Sequence, residues 1–208
     1  MYGLRKINKS GIHYNFKWPL EVGAFVKCPD WYPKPKCGGG LHLLPEAIGN
    51  YGLLNGYYWC VVEFDENQMV RIDNEKAKVP ECKIVYLSED ANGLREYFDF
   101  DKFDSMSAYG WALHIGDREI MIGKVTDSIS AYYWACHIGD EEIMRDKITD
   151  SEWAYRWARN IGDVEIMRDK ITDSRYAYWW ALNIGDREIM RKRITDLSYK
   201  RMLDKASR

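Results

Sequence analysis

The sequence lacks the features that mark several large classes of protein. Its 30 basic and 32 acidic side chains leave a net charge of −2, so we expect no global attraction to nucleic acid or anionic lipid. No apolar run approaches the roughly 18 residues of a membrane-spanning helix, and the first residues, MYGLRKINKSG, lack the apolar core of a secretion signal. We therefore expect a cytoplasmic protein without a membrane segment.

The motifs of metal sites and of common enzymes are also missing. The five cysteines form no C-x-x-C pair. Cys28, Cys37 and His42 could contribute to a zinc site, but their spacing fits no common finger or ribbon. No phosphate loop, nucleophile elbow or HExxH motif occurs. We therefore expect neither a metal nor a cofactor.

Aromatic residues are abundant. Nine Trp and fifteen Tyr in 208 residues exceed what a core of this size requires. Large, stiff, amphipathic side chains of this kind dominate binding hot spots. We therefore expect some of these rings to lie on a surface that binds a partner.

From residue 104 onward the chain repeats itself every 23 residues. The third copy reads DSEWAYRWARNIGDVEIMRDKIT. A fixed period of this kind indicates units that stack on their neighbours because none can bury its apolar face alone. The four copies begin at Asp104, Asp127, Asp150 and Asp173, and residues 196–208 form a truncated fifth copy.

Each copy is predicted to form two short helices. In the third copy Ala154, Trp157, Ala158 and Ile161 follow the i, i+3, i+4, i+7 spacing of one buried helical face. Gly162 stands where a helix ends in a left-handed residue. We expect the Asp163 carboxylate to cap the second helix, and Asp173 with its neighbours to cap the next repeat. The apolar side of the second helix is assigned to Ile166, Met167 and Ile171.

Residues 1–90 carry no such period. Alternating or β-rich runs over 2–7, 12–18, 22–28, 57–64, 69–72 and 83–87 predict strands, and one helix is expected over 45–51. The predicted fold is α+β, with a small, mostly antiparallel head domain at 1–90. A linker that caps the repeats follows at 91–103, then an α-solenoid of four helix pairs at 104–195 and a capping helix at 196–208.

Four positions on the first helix of each copy change between copies: the third, fourth, seventh and eleventh. Their spacing places them on one face, opposite the buried Trp, so that they form a ribbon along the array. This face could instead pack against an adjacent helix or remain in solvent. The residues of the ribbon that we predict to bind a partner are His114, Tyr133, His137, Trp153, Arg156, Asn160, Arg175, Tyr176, Trp179 and Asn183.

The repeat array begins acidic and ends basic. Residues 104–149 hold four basic and eight acidic side chains, whereas 150–208 hold thirteen basic and ten acidic. A basic cluster near the end could meet the phosphates of nucleic acid or an acidic protein. It could also be a solvated face that suits the negative ends of the last helices. Its members are Arg187, Arg191, Lys192, Arg193, Lys200 and Arg201.

A stretch of the head resembles an enzyme family. The segments GGLHLLPEAIGNYG, GYYWCVVEFDENQMV and ECKIVYLSED, over residues 38–90, resemble the middle and end of ADP-ribosyltransferase folds. The resemblance implies that His42 and Tyr51 flank a nicotinamide pocket for NAD, with Glu81 or Glu89 as the acidic catalytic residue. Arg5 is the one nearby candidate for the Arg or His that these enzymes carry on their first strand.

The repeats resemble a second group of proteins. Strings of the type AYxWAxxIGDxEIMRDxITDS, over residues 104–195, resemble those of bacteriophage and mobile-element proteins in which they follow small α+β domains. Accessory phage proteins of this size often bind and block a host complex, including CRISPR–Cas effectors. The resemblance therefore implies an anti-CRISPR-like inhibitor of host defence.

We therefore predict a non-enzymatic protein that occupies the surface of a host protein or complex through the ribbon. Two alternatives stay open. One is an ADP-ribosyltransferase-like enzyme, or a degenerate relative of one, in the head. The other is a scaffold that self-associates into homo-oligomers through its repeats.

Overall fold

A computed structural model describes residues 1–13, 16–74 and 76–206, and over these residues the chain is a mixed α+β protein. It divides into two compact units, Met1–Lys124 and Val125–Arg208. The first unit holds the strands and the first repeat, and the second holds the other three repeats and the final helix. No helix within the described ranges is long and apolar enough to cross a membrane.

The described residues of the first unit contain a seven-stranded antiparallel sheet in the order β4-β9-β6-β1-β5-β8-β7, with β2 and β3 forming a separate hairpin. The strands are β1 (Tyr2–Ile7), β2 (Ile12–His13), β3 (Phe16–Lys17), β4 (Phe25–Lys27), β5 (Leu41–Pro45), β6 (Tyr58–Glu63), β7 (Val70–Arg71), β8 (Ala77–Val79) and β9 (Glu81–Ser88).

Strand β1 occupies the centre of this sheet, between β6 and β5. Side chains alternate across a strand, so Gly3, Arg5 and Ile7 share one face. Ile7 belongs to the main apolar core, and Arg5 lies opposite Cys60 of β6, a further core residue. A charged side chain therefore stands among apolar residues in the middle of the sheet.

Several head elements differ from the sequence predictions. The helix expected over 45–51 is wrong, because β5 runs to Pro45 and Glu46 and Ala47 then adopt left-handed φ angles of 54° and 58°. A 3₁₀ turn over Tyr51–Leu53 follows. Strands β5 and β8 were not predicted: β5 is a largely apolar run without strict alternation, and β8 has only three residues, too few to show a pattern. The run predicted as one strand over 12–18 contains two short strands, β2 and β3. Tyr14 and Asn15, which also belong to that run, lie outside the described residues.

All four repeats form the predicted pair of helices, and the truncated copy forms one. Each first helix starts behind an Asp whose carboxylate accepts from a backbone amide, as Asp150 does from the Trp153 N–H at 3.1 Å. The helices are α1 (Ser105–His114), α2 (Arg118–Met121), α3 (Ser128–His137), α4 (Glu141–Asp146), α5 (Ser151–Asn160), α6 (Val164–Asp169), α7 (Ser174–Asn183), α8 (Arg187–Arg193) and α9 (Leu197–Lys205).

The predicted buried face of the first helix is confirmed for three of its four residues, whereas Ile161 is half-buried and lies just beyond the helix end at Asn160. Ala154 and Trp157 are fully buried and Ala158 nearly so. The corresponding Trp of every repeat is also fully buried, namely Trp111, Trp134, Trp157 and Trp180. On the second helix Met167 is buried as expected, and Ile171 is buried too but lies beyond the end of the helix at Asp169. Ile166 is 42% exposed, so its assignment to the apolar side is wrong. The helix is too short to bury both Ile166 and its neighbour Met167, which point to different sides.

The turn between the two helices uses two left-handed residues in succession. Gly162 has a φ of 132° and Asp163 a φ of 53°. A capping residue needs an extended backbone to reach the free amides, and a left-handed Asp163 does not have one. The expected cap by its carboxylate is therefore wrong. Asp163 Oδ2 instead accepts the indole N–H of Trp157 at 3.3 Å.

Within the second unit, hydrogen bonds close each repeat and join it to the one before. Ser151 Oγ, on the first helix of the third copy, accepts from the Thr172 N–H at 2.8 Å and so ties the end of the repeat to its beginning. The ammonium of Lys170 donates to the carbonyls of Arg145 and Ile148 in the preceding repeat, at 2.8 and 2.7 Å. Helices α3 and α5, α5 and α7, and α7 and α9 pack together.

The first repeat is covered by the linker at 91–103. The linker contains two 3₁₀ turns, Asn92–Glu96 and Phe100–Lys102. The rings of Phe98, Phe100 and Phe103 surround Trp111 with centroids 4.9 to 6.0 Å away. The linker therefore supplies the apolar neighbours that the first repeat needs.

We expect Lys170→Met to lower the free energy of unfolding by about 1 to 3 kcal/mol. The substitution keeps the apolar stem but leaves two carbonyls without their charged donor. Lys192→Met is the matched control, because Lys192 is an exposed lysine of the neighbouring helix pair. Urea denaturation followed by circular dichroism measures both variants. Equal stability of the two variants would refute the role of Lys170 as a link between repeats.

Candidate functional site

The ribbon residues of the second unit lie on the first helices α3, α5 and α7. Trp179 is 44% exposed, and Trp153, Tyr133 and Tyr176 are half-buried. The rings of Tyr133 and Trp153, on neighbouring helices, have centroids 5.7 Å apart. Exposed aromatic surface therefore continues from one repeat to the next.

Glu152 organises the polar part of the ribbon. It accepts the hydroxyl of Tyr176 at 2.6 Å and the guanidinium of Arg156 at 2.8 Å. These hydrogen bonds hold the pKa of the Glu152 carboxyl below its usual range. The guanidinium of Arg156 also lies 4.9 Å from the Trp153 ring centre, and that of Arg175 contacts Tyr176. These long side chains therefore contact one another across the ribbon and do not extend singly into solvent.

The asparagines of the ribbon join neighbouring repeats. Asn160 Nδ2 donates to the hydroxyl of Tyr132 at 2.6 Å, and Asn183 Nδ2 donates to that of Tyr155 at 3.1 Å. Both bonds span 28 residues. Each side-chain amide therefore uses its Nδ2 group for a contact between repeats. Asn160 and Asn183 stabilise the packing of the ribbon helices more than they offer donors to a partner.

The first repeat uses the same positions differently. His114 stacks on Tyr51 of the head with ring centroids 6.2 Å apart. Gly110 lies directly beneath that ring, since a Cβ there would be 2.5 Å from Tyr51 Cδ2. His114 therefore packs within the first unit. In the second unit His137 stacks on Tyr133 at 6.0 Å.

Half of the basic cluster is engaged within the second unit. Arg191 forms an ion pair with Asp204, with Nε 2.8 Å from Oδ1. Arg193 donates to the carbonyls of Arg168 and Ile171, which is the linking role that Lys170 has one repeat earlier. Arg187 donates to the Ala206 carbonyl at 3.4 Å. The exposed members left for a phosphate are Lys192 and Arg201, with Lys200 half-buried.

The structure also reveals a cavity of about 680 Å³ in the head. Arg5 and His42, of the central strands β1 and β5, both line it. The Arg5 guanidinium stacks over the Trp18 ring at 3.5 Å, and its Nη1 donates to the His42 backbone oxygen at 3.1 Å. The transferase resemblance implied a pocket beside His42 with Arg5 nearby, but the burial of Arg5 was not predicted from the sequence.

Burial sets the protonation of Arg5 and His42 and of the two thiols beside Arg5. It lowers the pKa of Arg5 to about 10, which leaves the guanidinium charged at neutral pH. Burial, reinforced by the charges of Lys76, Arg5 and Lys78, lowers the pKa of His42 to about 4, so its imidazole is neutral. Burial likewise raises the pKa of Cys60 and of Cys82 to about 12. These two cysteines are therefore thiols, not nucleophilic thiolates.

The residues that the transferase resemblance implies do not all meet at this cavity. Tyr51 is buried elsewhere, with its hydroxyl donating to the Ala47 carbonyl. Glu81 lies 3.9 Å from Lys27, and Glu89 accepts the hydroxyl of Tyr57. Neither glutamate lines the cavity.

The loop 28–40 forms one wall of the cavity. Lys78, fully buried, donates to the carbonyls of Lys36 and Gly38 at 2.9 and 2.8 Å and ties this irregular loop to β8. Cys28 Sγ donates to Asp30 at 3.0 Å, and Cys37 is exposed. Over the described residues no cluster of three His, Cys, Asp or Glu side chains is placed to hold a metal ion.

The chain has no significant match among family models, curated proteins or solved structures.

We expect the stability of the protein to fall as the pH drops from about 6.5 towards 4. The folded state lowers the pKa of His42, so the unfolded state binds a proton first and gains population in that window. In His42→Asn the loss of stability between pH 7 and pH 4.5 should be smaller than in the unaltered chain. Urea denaturation at both pH values measures the difference. An NMR titration of His42 with a midpoint near 6.5 would contradict the expectation.

Proposed function

We propose that the protein is a non-enzymatic interaction module that occupies the surface of another protein through the ribbon. The observation that carries this proposal is the ordered aromatic and arginine surface around Glu152. Trp, Tyr and Arg are the residues that contribute most to binding free energy at interfaces. Because their rotamers are already held by Glu152 and by each other, binding a partner costs less side-chain entropy than it would for free side chains.

We further propose that the four repeats stack as an α-solenoid. Support comes from the second unit, where the Tyr132–Asn160 and Tyr155–Asn183 hydrogen bonds and the Lys170 link recur at a fixed spacing. An array of this kind presents a surface that lengthens with each repeat. Such a surface suits an extended protein partner better than a small molecule.

For the partner we propose a bacterial protein or complex in the cytoplasm, with a host defence complex such as a CRISPR–Cas effector as the first candidate. The support for that choice is the resemblance of the repeats to bacteriophage and mobile-element proteins. The engagement of Arg187, Arg191 and Arg193 within the unit favours a protein over nucleic acid, since it leaves few cations free for phosphate.

We expect replacement of Trp153, Tyr176 and Trp179 by alanine in one variant to weaken partner binding at least about 100-fold, since such anchors are worth roughly 2 kcal/mol or more each. The matched control replaces Ile143, Ile166 and Ile189, exposed residues of the second helices, by alanine. An affinity pull-down from bacterial lysate, with bound protein and nucleic acid identified separately, measures both, and circular dichroism checks the helices.

The outcomes of this experiment separate the alternatives. Loss of capture in the isoleucine variant alone would move the interface to the second helices. Recovery of nucleic acid as the main bound species would favour the basic cluster. If light scattering shows self-association and the aromatic variant abolishes it, the scaffold hypothesis is supported. If the protein binds NAD in a calorimetric titration, the transferase hypothesis is supported. Capture that survives both variants would refute the proposal.

A second prediction tests the role of Glu152. Glu152→Ala removes no ring and no arginine, but it frees Tyr176 and Arg156 to rotate. Ordering a side chain on binding costs roughly 0.5 to 1.5 kcal/mol, so we expect affinity to fall by about 2- to 12-fold. Glu165→Ala, at an exposed glutamate of α6, should leave affinity unchanged. Surface plasmon resonance against the captured partner measures both variants, and equal affinities would rule out preorganisation by Glu152.

A further inference from the structure

The head buries a positive charge without a negative partner. Arg5 is 6% exposed, and no carboxylate of the described residues is close enough to stabilise its charge. Its neighbours on the same sheet face are apolar residues and the thiols of Cys60 and Cys82. A buried unpaired charge is strongly destabilising, so an anion entering this site gains the interaction that the fold leaves unused.

The guanidinium has an unused hydrogen-bonding edge. Nη1 donates to the His42 carbonyl, whereas the buried Nε finds no acceptor among the described residues. The Nε side of a guanidinium presents two parallel N–H groups, which match the paired oxygens of a carboxylate or phosphate. His42 Nε2 is likewise buried and without a hydrogen-bond partner in the described part of the chain. Two unused polar nitrogens therefore belong to residues of one cavity.

The cavity has the size and lining of a small-molecule site. Its volume of about 680 Å³ falls within the range of roughly 300 to 1,000 Å³ that is typical of such sites. Phe16, Leu41, Leu53 and Leu54 supply apolar walls. Lys6 and Lys76 add positive charge, and the lining carboxylate of Asp30 already accepts the thiol of Cys28.

We propose that this cavity binds a small organic anion whose carboxylate or phosphate group pairs with the guanidinium of Arg5. The apolar body of the ligand packs against Phe16 and the leucines. The site lies in the first unit and is independent of the ribbon proposal.

The test titrates the full-length, ¹⁵N-labelled chain with three probes of similar size: phenylacetate, phenyl phosphate and the neutral 2-phenylethanol. We expect at least one anion to bind with a dissociation constant of about 1 mM or tighter and to shift the Arg5 Nε–H NMR signal. The neutral probe should bind at least 10-fold more weakly. Binding of phenylacetate alone identifies a carboxylate ligand, and binding of phenyl phosphate alone a phosphate ligand.

Two variants locate the binding. Arg5→Met should weaken anion binding at least 10-fold, whereas Lys27→Met, at an exposed lysine of β4, should leave it unchanged. The proposal is overturned by no binding of either anion, by equal binding of the neutral probe, or by full binding in Arg5→Met. If Arg5→Met does not fold, the test uses the Arg5 Nε–H signal of the unaltered chain. An anion that binds elsewhere does not shift this signal, and an unshifted signal overturns the proposal.

Discussion

A hydrogen bond between a buried tryptophan and a left-handed aspartate joins the turn to the first helix in three of the four repeats. Trp111, Trp134 and Trp157 each donate the indole N–H to the Asp six residues later. A buried unpaired donor is costly, so in these three repeats the aspartate that returns over the first helix satisfies the indole and is not available to cap the short second helix. The fourth repeat keeps the same turn at Gly185 and Asp186 although Trp180 Nε1 has no hydrogen-bond partner among the described residues, so the left-handed turn does not depend on this hydrogen bond alone.

Periodicity made the helical half predictable, because a 3.6-residue pattern and a capping Asp are local properties of a sequence. The face of Ala154 and Trp157 and the glycine turn at Gly162 follow from them. The role of Asp163 does not, since it depends on a backbone angle that a sequence leaves open. Asn160 was assigned to a binding face because its partner, Tyr132, lies 28 residues away and only packing between repeats brings the two together.

The head was less predictable because its sheet is assembled from distant segments. The run around Arg5 indicates a strand, but a charged residue in a strand ordinarily predicts a solvent-facing side. The burial of Arg5 depends on β6 and β5, which lie on either side of β1. Strand β5 was itself not predicted, because its leucine-rich sequence is equally compatible with a helix. The sequence around Arg5 carries only a weak indication of its burial, because apolar and polar residues do not alternate regularly along β1. The cavity beside it is therefore a tertiary property.

The asparagine–tyrosine bonds also bear on how the chain can change over evolution. Each of the two bonds joins residues of adjacent repeats at the same offset. A duplication of the third 23-residue unit would bring its own asparagine to meet the preceding tyrosine and its own tyrosine to meet the following asparagine. Gain of such a unit would therefore leave neither an asparagine nor a tyrosine of this pair without its partner. The first two units, which carry His114 and His137 at the asparagine position, do not have this property, so growth of the array by duplication is easier at its C-terminal end.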